Sequence, residues 1–205
     1  MMRTMRLASL MPAFLIVLSA SCRERQVSIP TPTKSDGLAL VIKTTKQSYV
    51  VGEDIVFSCM FTNQGTSVVT ILPWGEAYAS YWMHAIDSRF RPAKGIETTI
   101  FDSKHGGPNS GDFIRLAPGQ TYMRQFYGHI LRGEIKRFDR VTSYRGLFIE
   151  FDYSALQLGK AGTYQVWAEY DASTWAKSAS EAFLTNNAFQ GSLASAPIRI
   201  SIADK

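Results

Sequence analysis

The chain contains 205 residues, of which 45% are hydrophobic, 12% aromatic and 19% charged. This length is enough for one sizeable core, and the composition is that of an ordinary globular protein with the aromatic content that strands favour. Lys and Arg number 22 against 17 Asp and Glu, an excess too small to indicate a nucleic-acid partner.

The N-terminus has the pattern of a secretory signal peptide. Arg3 and Arg6 precede an apolar run, Leu7–Leu18, whose twelve residues are too few to cross a bilayer as a helix. We therefore predict that residues 1–21 are a signal peptide and that the protein is exported. Without this segment the chain carries 20 basic and 17 acidic residues, a net charge of +3.

The predicted signal peptide ends at a cysteine. The segment Ser19-Ala20-Ser21-Cys22 resembles the lipobox of bacterial lipoproteins, although the usual leucine is displaced by one place, to Leu18. The resemblance implies that Cys22 carries a lipid that anchors the protein in a membrane, the outer membrane if the cell is Gram-negative. Ordinary cleavage near Ser21 or Cys22, which gives a periplasmic or secreted protein, is the alternative.

Residues 22–36 are predicted to be a flexible tether, because they contain Pro30, Pro32 and several charges but little apolar material. The folded domain is predicted to span residues 37–205. Cys59 is the only other cysteine, and it lies on the apolar side of an alternating segment. We expect a buried, unreactive thiol there, and no disulfide within the chain if Cys22 is acylated.

Alternating apolar and polar residues predict a series of short strands. The predicted strands are Leu38–Lys43, Asp54–Thr62, Ser67–Leu72, Tyr81–Ile86, Ile96–Asp102, Phe113–Leu116, Thr121–Tyr127, Leu147–Tyr153, the strand that follows a turn within Gly159–Tyr170, and Ile198–Ile202. About eight to ten short strands without a long amphipathic helix indicate an all-β, antiparallel β-sandwich with long loops. We expect Gly159–Tyr170, a turn that runs into an alternating strand, to provide its central strand.

The connections between these strands are predicted from their turn residues. Asn63-Gln64-Gly65-Thr66 is expected to join the two strands that flank it as a hairpin, because Asn and Gly tolerate a positive φ. Ala117-Pro118-Gly119-Gln120 fits a type II turn. Gly128–Gly146 is expected to be an irregular loop or to contain a helical turn, and Thr174–Phe183 a short helix.

Four motifs together resemble the immunoglobulin-like domains of bacterial exported proteins. They are Tyr49–Glu53, Phe61–Gly65, Leu116–Gln120 and Ala161–Tyr164. The last resembles a tyrosine corner, which implies that the Tyr164 hydroxyl bonds to the backbone upstream. The same order is similar to BsuPI-type proteinase inhibitor domains. Such turns serve the fold, so the resemblance carries over no catalytic residue, and a function drawn from it is an analogy.

The histidines give no catalytic or metal-binding pattern. His84, His105 and His129 are the only three in the sequence, and no pair has metal-ligand spacing. A hydrolytic triad can be drawn around His105 with Asp102 and Ser110, but nothing indicates a nucleophile held against a base. We predict that the protein is not an enzyme and that it uses no cofactor or metal.

The tryptophans are the better candidates for a binding surface. Tyr164, Val166 and Ala168 take the inner face of the predicted central strand and leave Trp167 on the outer face. Either the 171–191 excursion covers Trp167 in a second small core, or Trp167 belongs to an exposed binding surface. That surface is expected to include three further tryptophans, Trp74, Trp82 and Trp175.

Two sets of charged residues can be interpreted either as a binding site or as ordinary solvent-exposed surface. The basic segment Arg132–Arg145 suits anionic lipid headgroups or an envelope glycan. Glu150, Asp152 and Glu169 suit a calcium ion, although the chain lacks an Asp-rich loop. For both segments, ordinary solvent exposure is the simpler interpretation.

The sequence as a whole predicts a non-catalytic binding or interaction module of the cell envelope, anchored through Cys22, with a protein or glycan partner and no nucleic acid. Two alternatives stay open. One is a glycan-binding module that uses the tryptophans. The other is a proteinase inhibitor, on the BsuPI-type resemblance, with Lys104–Asp112 as its inhibitory loop.

Overall fold

The computed structural model describes residues 29–31, 34–35, 37–73, 81–98, 110–173 and 188–205. Fourteen strands occur in this part of the chain, and the fold is all-β. They are β1 Lys34–Ser35, β2 Leu38–Thr44, β3 Ser48–Val50, β4 Asp54–Asn63, β5 Val69–Ile71, β6 Tyr81–Asp87, β7 Lys94–Glu97, β8 Ile114–Leu116, β9 Thr121–Lys136, β10 Ser143–Glu150, β11 Ser154–Gln157, β12 Gly162–Asp171, β13 Ser192–Ala194 and β14 Ile198–Ala203. No helix in the described residues is long and apolar enough to span a membrane.

The strands form two large sheets and one small one. The first sheet has the order β1-β2-β4-β9-β10-β11-β7. In the second sheet β12 pairs with β6 on one side and with both β14 and β13 on the other, and β3 runs parallel to β14. A separate two-stranded sheet joins β5 to β8. The prediction that Gly159–Tyr170 provides a central strand is therefore confirmed, and the strand itself begins at Gly162.

The two large sheets pack face to face through side chains that alternate along their strands. The inner face of β4 presents Ile55, Phe57, Cys59 and Phe61, all inaccessible to solvent. The Phe61 ring meets Tyr170 of β12 at 5.0 Å and Tyr81 of β6 at 5.7 Å, both edge to face. Aromatic contacts of this kind add to the burial of apolar area, so they bind one sheet to the other.

The order of the central strands is that of an immunoglobulin-like sandwich. The pairings β2-β4-β9 and β6-β12-β14 correspond to strands A-B-E and C-F-G of that fold. The departure is in the first sheet, where β10 and β11 lie between β9 and β7. The chain also crosses from the first sheet to the second between β2 and β3.

The hydrogen bond implied by the tyrosine-corner motif is present. The Tyr164 hydroxyl donates to the backbone carbonyl of Leu158 at 2.5 Å and also lies against the carbonyl of Lys160. This contact fixes the entry of β12 against the loop that precedes it. The predicted type II turn is confirmed as well, because Gln120 N donates to Ala117 O and Gly119 has a φ of 78°.

The hairpin predicted between Asp54–Thr62 and Ser67–Leu72 is wrong. Both edges of β4 are occupied by strands from elsewhere in the chain, β2 on one side and β9 on the other. The segment after the turn instead forms β5 and pairs with β8 outside the first sheet. Asn63 stabilises this arrangement of the turn, because its buried side chain forms hydrogen bonds with the backbone of Gly65 and Ser67.

The irregular loop predicted at Gly128–Gly146 is also wrong. β9 continues to Lys136 and pairs with β10 from Ser143 onward. Beyond the facing pair Gly133 and Gly146, this hairpin folds back over the outer face of its own sheet. Its Ile135 packs there with Phe148, Ala155 and Ile96, and Phe138 N reaches Glu97 O of β7 at 3.1 Å. The result is a second, smaller core.

Gly146 makes this bend possible, and its replacement tests that role. Its φ of 149° is rarely adopted by other residues, whereas an added Cβ would meet nothing closer than Gln157 at 3.5 Å. Gly146→Ala should therefore lower the free energy of unfolding by about 1–2 kcal/mol through backbone strain alone. Gly133→Ala, opposite it, is the control and should cost less than about 0.5 kcal/mol in urea unfolding. Equal losses for the two variants would contradict this account.

Other predicted elements lie partly or wholly outside the described residues. The strand predicted at Ile96–Asp102 is observed as Lys94–Glu97, and residues 99–102 are not described. The helix predicted at Thr174–Phe183 also lies outside the described residues.

Candidate functional site

The outer face of the second sheet carries two of the tryptophans predicted for a binding surface, Trp82 and Trp167. Three residues of β6 face three residues of β12 in register: Trp82 opposite Glu169, His84 opposite Trp167, and Ile86 opposite Gln165. We call these six residues the outer ladder. They lie on this face because Tyr81, Met83 and Ala85 alternate with them toward the core.

Trp167 is buried although it points away from the main core. Its side chain is 3% exposed, and its indole stacks on the His84 ring with centroids 5.2 Å apart and planes 13° from parallel. Trp167 is therefore a buried member of the outer ladder and offers no free indole face to a ligand. Residues 174–187 of the excursion expected to cover it lie outside the described residues.

Trp82 is the exposed tryptophan of the outer ladder. It is 43% exposed and sits directly across the strands from Glu169, whose side chain is 40% exposed. The other two predicted members of the surface, Trp74 and Trp175, lie outside the described residues. Of the four tryptophans, the structure therefore brings Trp82 and Trp167 together on one face.

His84 connects the buried and exposed parts of the outer ladder. Its Nε2 lies 3.2 Å from Oε2 of Glu169, which is ion-pair distance, although the ring N–H direction falls outside hydrogen-bond geometry. Burial lowers the pKa of His84 below its usual value, and the Glu169 carboxylate only partly offsets this. The pair is therefore a neutral imidazole beside a carboxylate at neutral pH.

The lowered pKa of His84 predicts how stability changes with pH. As pH falls from about 6.5 toward that lowered pKa, the unfolded chain takes up a proton that the folded protein resists, so stability is lost. His84→Gln should flatten this loss, measured as urea midpoints at about pH 7.5 and about pH 5.5. Glu169→Gln should deepen it, because the carboxylate that favours the charged imidazole is gone. Identical pH profiles for both variants and the wild type would contradict the assignment.

Among the described residues, the other candidates for catalysis, His129 and Cys59, are not assembled into a reactive group. His129 Nδ1 lies 2.7 Å from Asp54 Oδ1 on the exposed surface of the first sheet. Cys59 is fully buried, and burial raises its pKa to about 12 against the opposing Arg124 guanidinium. A thiol with that pKa is not a nucleophile. His105 lies outside the described residues.

Acidic residues do not gather into a cation site in the described part of the chain. No group of three His, Cys, Asp or Glu residues is placed there to hold a metal ion. Glu150 ends β10 in the first sheet, Asp152 follows that strand, and Glu169 belongs to the second sheet. The calcium interpretation of these three residues therefore has no geometric support.

Several basic side chains of the segment Arg132–Arg145 form ion pairs or ring contacts within the protein. Arg145 Nε lies 2.8 Å from Glu134 Oε2 across the strands, and Arg132 pairs with Asp204 near the C-terminus. Arg137 lies over the Phe138 ring at 4.7 Å. Ion pairs of this exposed kind contribute little to stability, but they reduce the positive charge available to an anionic surface.

Comparison with known proteins adds no family: no family model matches the chain, and no curated protein matches it either.

Proposed function

We propose that the protein is a non-catalytic binding module of the cell envelope, anchored through a lipid on Cys22, and that its outer ladder recognises a protein partner. The observation that carries this proposal is the placement of Trp82. A tryptophan that is 43% exposed on a paired strand presents a large apolar surface to solvent beside a carboxylate. Exposed tryptophans are enriched among the residues that dominate binding energy at protein interfaces.

The surroundings of Trp82 support a rigid recognition surface. The strand that carries it pairs with β12 over seven residues, from Tyr81 to Asp87. Trp167 and His84, the neighbouring pair of the outer ladder, stack on each other and fix the contour of this face. Binding to a pre-organised surface loses less conformational entropy than binding to a loop. Glu169 and His84 supply polar groups beside the indole, where they can select a partner by charge.

A glycan is the second candidate ligand, and Glu169 is the observation that favours it. A sugar ring can lie on the Trp82 indole while its hydroxyls donate to the Glu169 carboxylate across the strand. For proteinase inhibition, most of the predicted loop Lys104–Asp112 lies outside the described residues, so the structure offers no contact in its favour.

A binding experiment with a matched control tests the proposal. The protein, its Trp82→Ala variant and its Tyr127→Ala variant are immobilised and exposed to solubilised envelope. Tyr127 is an exposed aromatic residue on the outer face of the first sheet, so it controls for loss of surface area alone. We expect one protein to be retained by the wild type and by Tyr127→Ala, and to be lost with Trp82→Ala.

The glycan alternative is separated by competition in the same format. If soluble envelope polysaccharide releases the retained material and Trp82→Ala binds no polysaccharide, the ligand is a glycan. Retention that is equal for Trp82→Ala and the wild type contradicts recognition through the outer ladder, whichever ligand is captured.

A further inference from the structure

The turn between β6 and β7 projects a phenylalanine into solvent. Phe90 is 68% exposed, which is more than Trp82 of the outer ladder at 43%. Arg89 and Arg91 flank it in the sequence, and both are exposed. The turn therefore presents an apolar ring together with two long cationic side chains whose stems are also apolar.

This turn holds Phe90 in a backbone conformation that a bulky residue disfavours. Its φ is 60°, in the left-handed region that glycine and asparagine adopt more readily. Asp87 fixes the conformation, because its Oδ1 accepts from the backbone N–H groups of Arg89 and Arg91 at 2.8 and 3.0 Å. Phe90 N donates to the backbone carbonyl of Asp87 at 2.9 Å. Since an exposed ring adds little to the core, its presence at a strained position indicates a contact outside the fold.

The Phe90 turn lies at the end of the sandwich from which β1 starts. β1 is antiparallel to the first residues of β2, so it runs from the end where β2 finishes toward the end where β2 begins. β4 begins at that finishing end, where Gly52 N donates to Ile130 O at 2.6 Å and Val51 N donates to Ala203 O at 3.0 Å. The second bond reaches the end of β14, which lies beside the start of β12 and the finish of β6. We call this the entry end of the sandwich.

Positive charge is left free at the entry end. Four carboxylates there lie within ion-pair distance of a basic side chain: Glu53 with Lys46, Asp54 with His129, Asp87 with Arg91, and Asp204 with Arg132. Arg89 and Lys160 also lie at this end, and no carboxylate of the described residues is within ion-pair distance of either. Free cations beside an exposed phenylalanine suit an anionic lipid surface.

We infer that the entry end lies on the membrane surface, with the Phe90 ring among the headgroups of an anionic phospholipid and with Arg89 and Lys160 beside their phosphates. The inference rests on the proposed lipid on Cys22. Twelve residues separate Cys22 from Lys34, a span of at most about 40 Å, so the anchor holds this weak contact at a high effective concentration. Because the strands run from the entry end to the opposite end, the outer ladder then faces sideways and stays accessible to its partner.

The first arm of the test measures the contact without the anchor. The mature chain with Cys22→Ser, which keeps every described residue, is sedimented with vesicles of phosphatidylethanolamine and phosphatidylglycerol. Phe90→Asn should lower the partition coefficient roughly tenfold, because the buried ring is lost, and Arg89→Gln should lower it about fivefold. Asparagine suits the left-handed conformation, so Phe90→Asn should unfold at the same urea concentration as its parent or at a higher one.

Val68→Asn and Arg115→Gln are the matched controls for this arm. Val68 is 45% exposed beside the turn that follows β4, and Arg115 is an exposed residue of β8, which pairs with β5 after the same turn. Both lie at the end where β2 begins, so both variants should sediment like the parent chain. A parent chain that does not sediment, Phe90→Asn that binds like its parent, or equal losses in the controls would each overturn the inference.

The second arm shows what the Phe90 turn touches in the anchored protein. The exported, processed protein in vesicles of the same lipids carries a polarity-sensitive fluorophore on Ser88→Cys or, as the control, on Gln64→Cys at the opposite end. Cys59 is fully buried and does not compete for the label. We expect the Ser88→Cys label to shift to the blue and to be quenched by brominated lipid, and the Gln64→Cys label to report water. A Ser88→Cys label that stays in water, or that shifts only when envelope proteins are added, overturns the inference.

The two arms separate this inference from the proposed function. Trp82→Ala should change neither arm, so failure of recognition through the outer ladder leaves the membrane contact intact. Mass spectrometry that finds no lipid on Cys22 would refute the anchor, and the first arm would still decide whether the entry end binds the membrane.

Discussion

Phe61→Ala should lower the free energy of unfolding by about 3–5 kcal/mol, a large share of the stability of a domain this size. The Phe61 ring projects from the first sheet and is inaccessible to solvent. It contacts Tyr170 and Tyr81 of the second sheet, so it packs the two sheets together. Its removal leaves a cavity that neither sheet can fill without shifting against the other. Urea unfolding followed by tryptophan fluorescence measures the loss.

Met123→Ala is the control for Phe61→Ala. Met123 is 53% exposed on the outer face of β9 in the first sheet, where it pairs with Met60 of β4. Its removal should change stability by less than about 0.5 kcal/mol. A loss below about 1 kcal/mol for Phe61→Ala would show that the two sheets do not share the closely packed core described above.

Asn63→Ala should cost about 2–4 kcal/mol, because three backbone partners lose their hydrogen bonds in a buried place. Asn63 Nδ2 donates to Ser67 O at 2.7 Å and to Leu116 O at 2.8 Å, and its Oδ1 accepts from Gly65 N at 3.0 Å. These bonds hold the end of β4, the turn after it and β8 together. Unfolding in urea is again the measurement.

Asn63→Asp separates shape from hydrogen bonding. The carboxylate has the size of the amide but cannot donate to the carbonyls of Ser67 and Leu116 when ionised, so the loss should be at least as large as for alanine. Gln64→Ala, at an exposed position of the same turn, is the control and should be nearly neutral. An Asn63→Asp variant as stable as the wild type would contradict the donor role.

The inner faces of the strands could be predicted because alternation is a local property. The faces of β4 and β12, and the outward direction of Trp167, follow from a period of two in the sequence. Pairing is not local. Asn63-Gln64-Gly65 has good hairpin chemistry, yet β4 pairs with β2 over seven residues and with β9 over nine, whereas β5 has only three residues to pair.

The distal part of β9 could not be predicted because the buried face changes along the strand: Ile130 faces the main core, whereas Ile135 faces the second core on the opposite side. Arg132, Glu134 and Lys136 resemble a solvated loop until the fold of the hairpin over its own sheet is known. Gly133 and Gly146 were the signal that could have revealed the bend, since two glycines face each other across the strands.

The candidate sites were predicted only in part, because their contacts depend on residues that are distant in sequence. The sequence identifies the tryptophans, but whether an outward Trp167 is buried depends on chain that is remote in sequence.

The most direct test of recognition through the outer ladder is the indole N–H signal of Trp82, observed by NMR in the full chain with and without the envelope fraction that it retains. The account predicts that this signal shifts or broadens on binding, together with the amide signals of β6. Changes confined to the outer face of the first sheet, around Met123 and Tyr127, with the Trp82 signal unmoved, would contradict it.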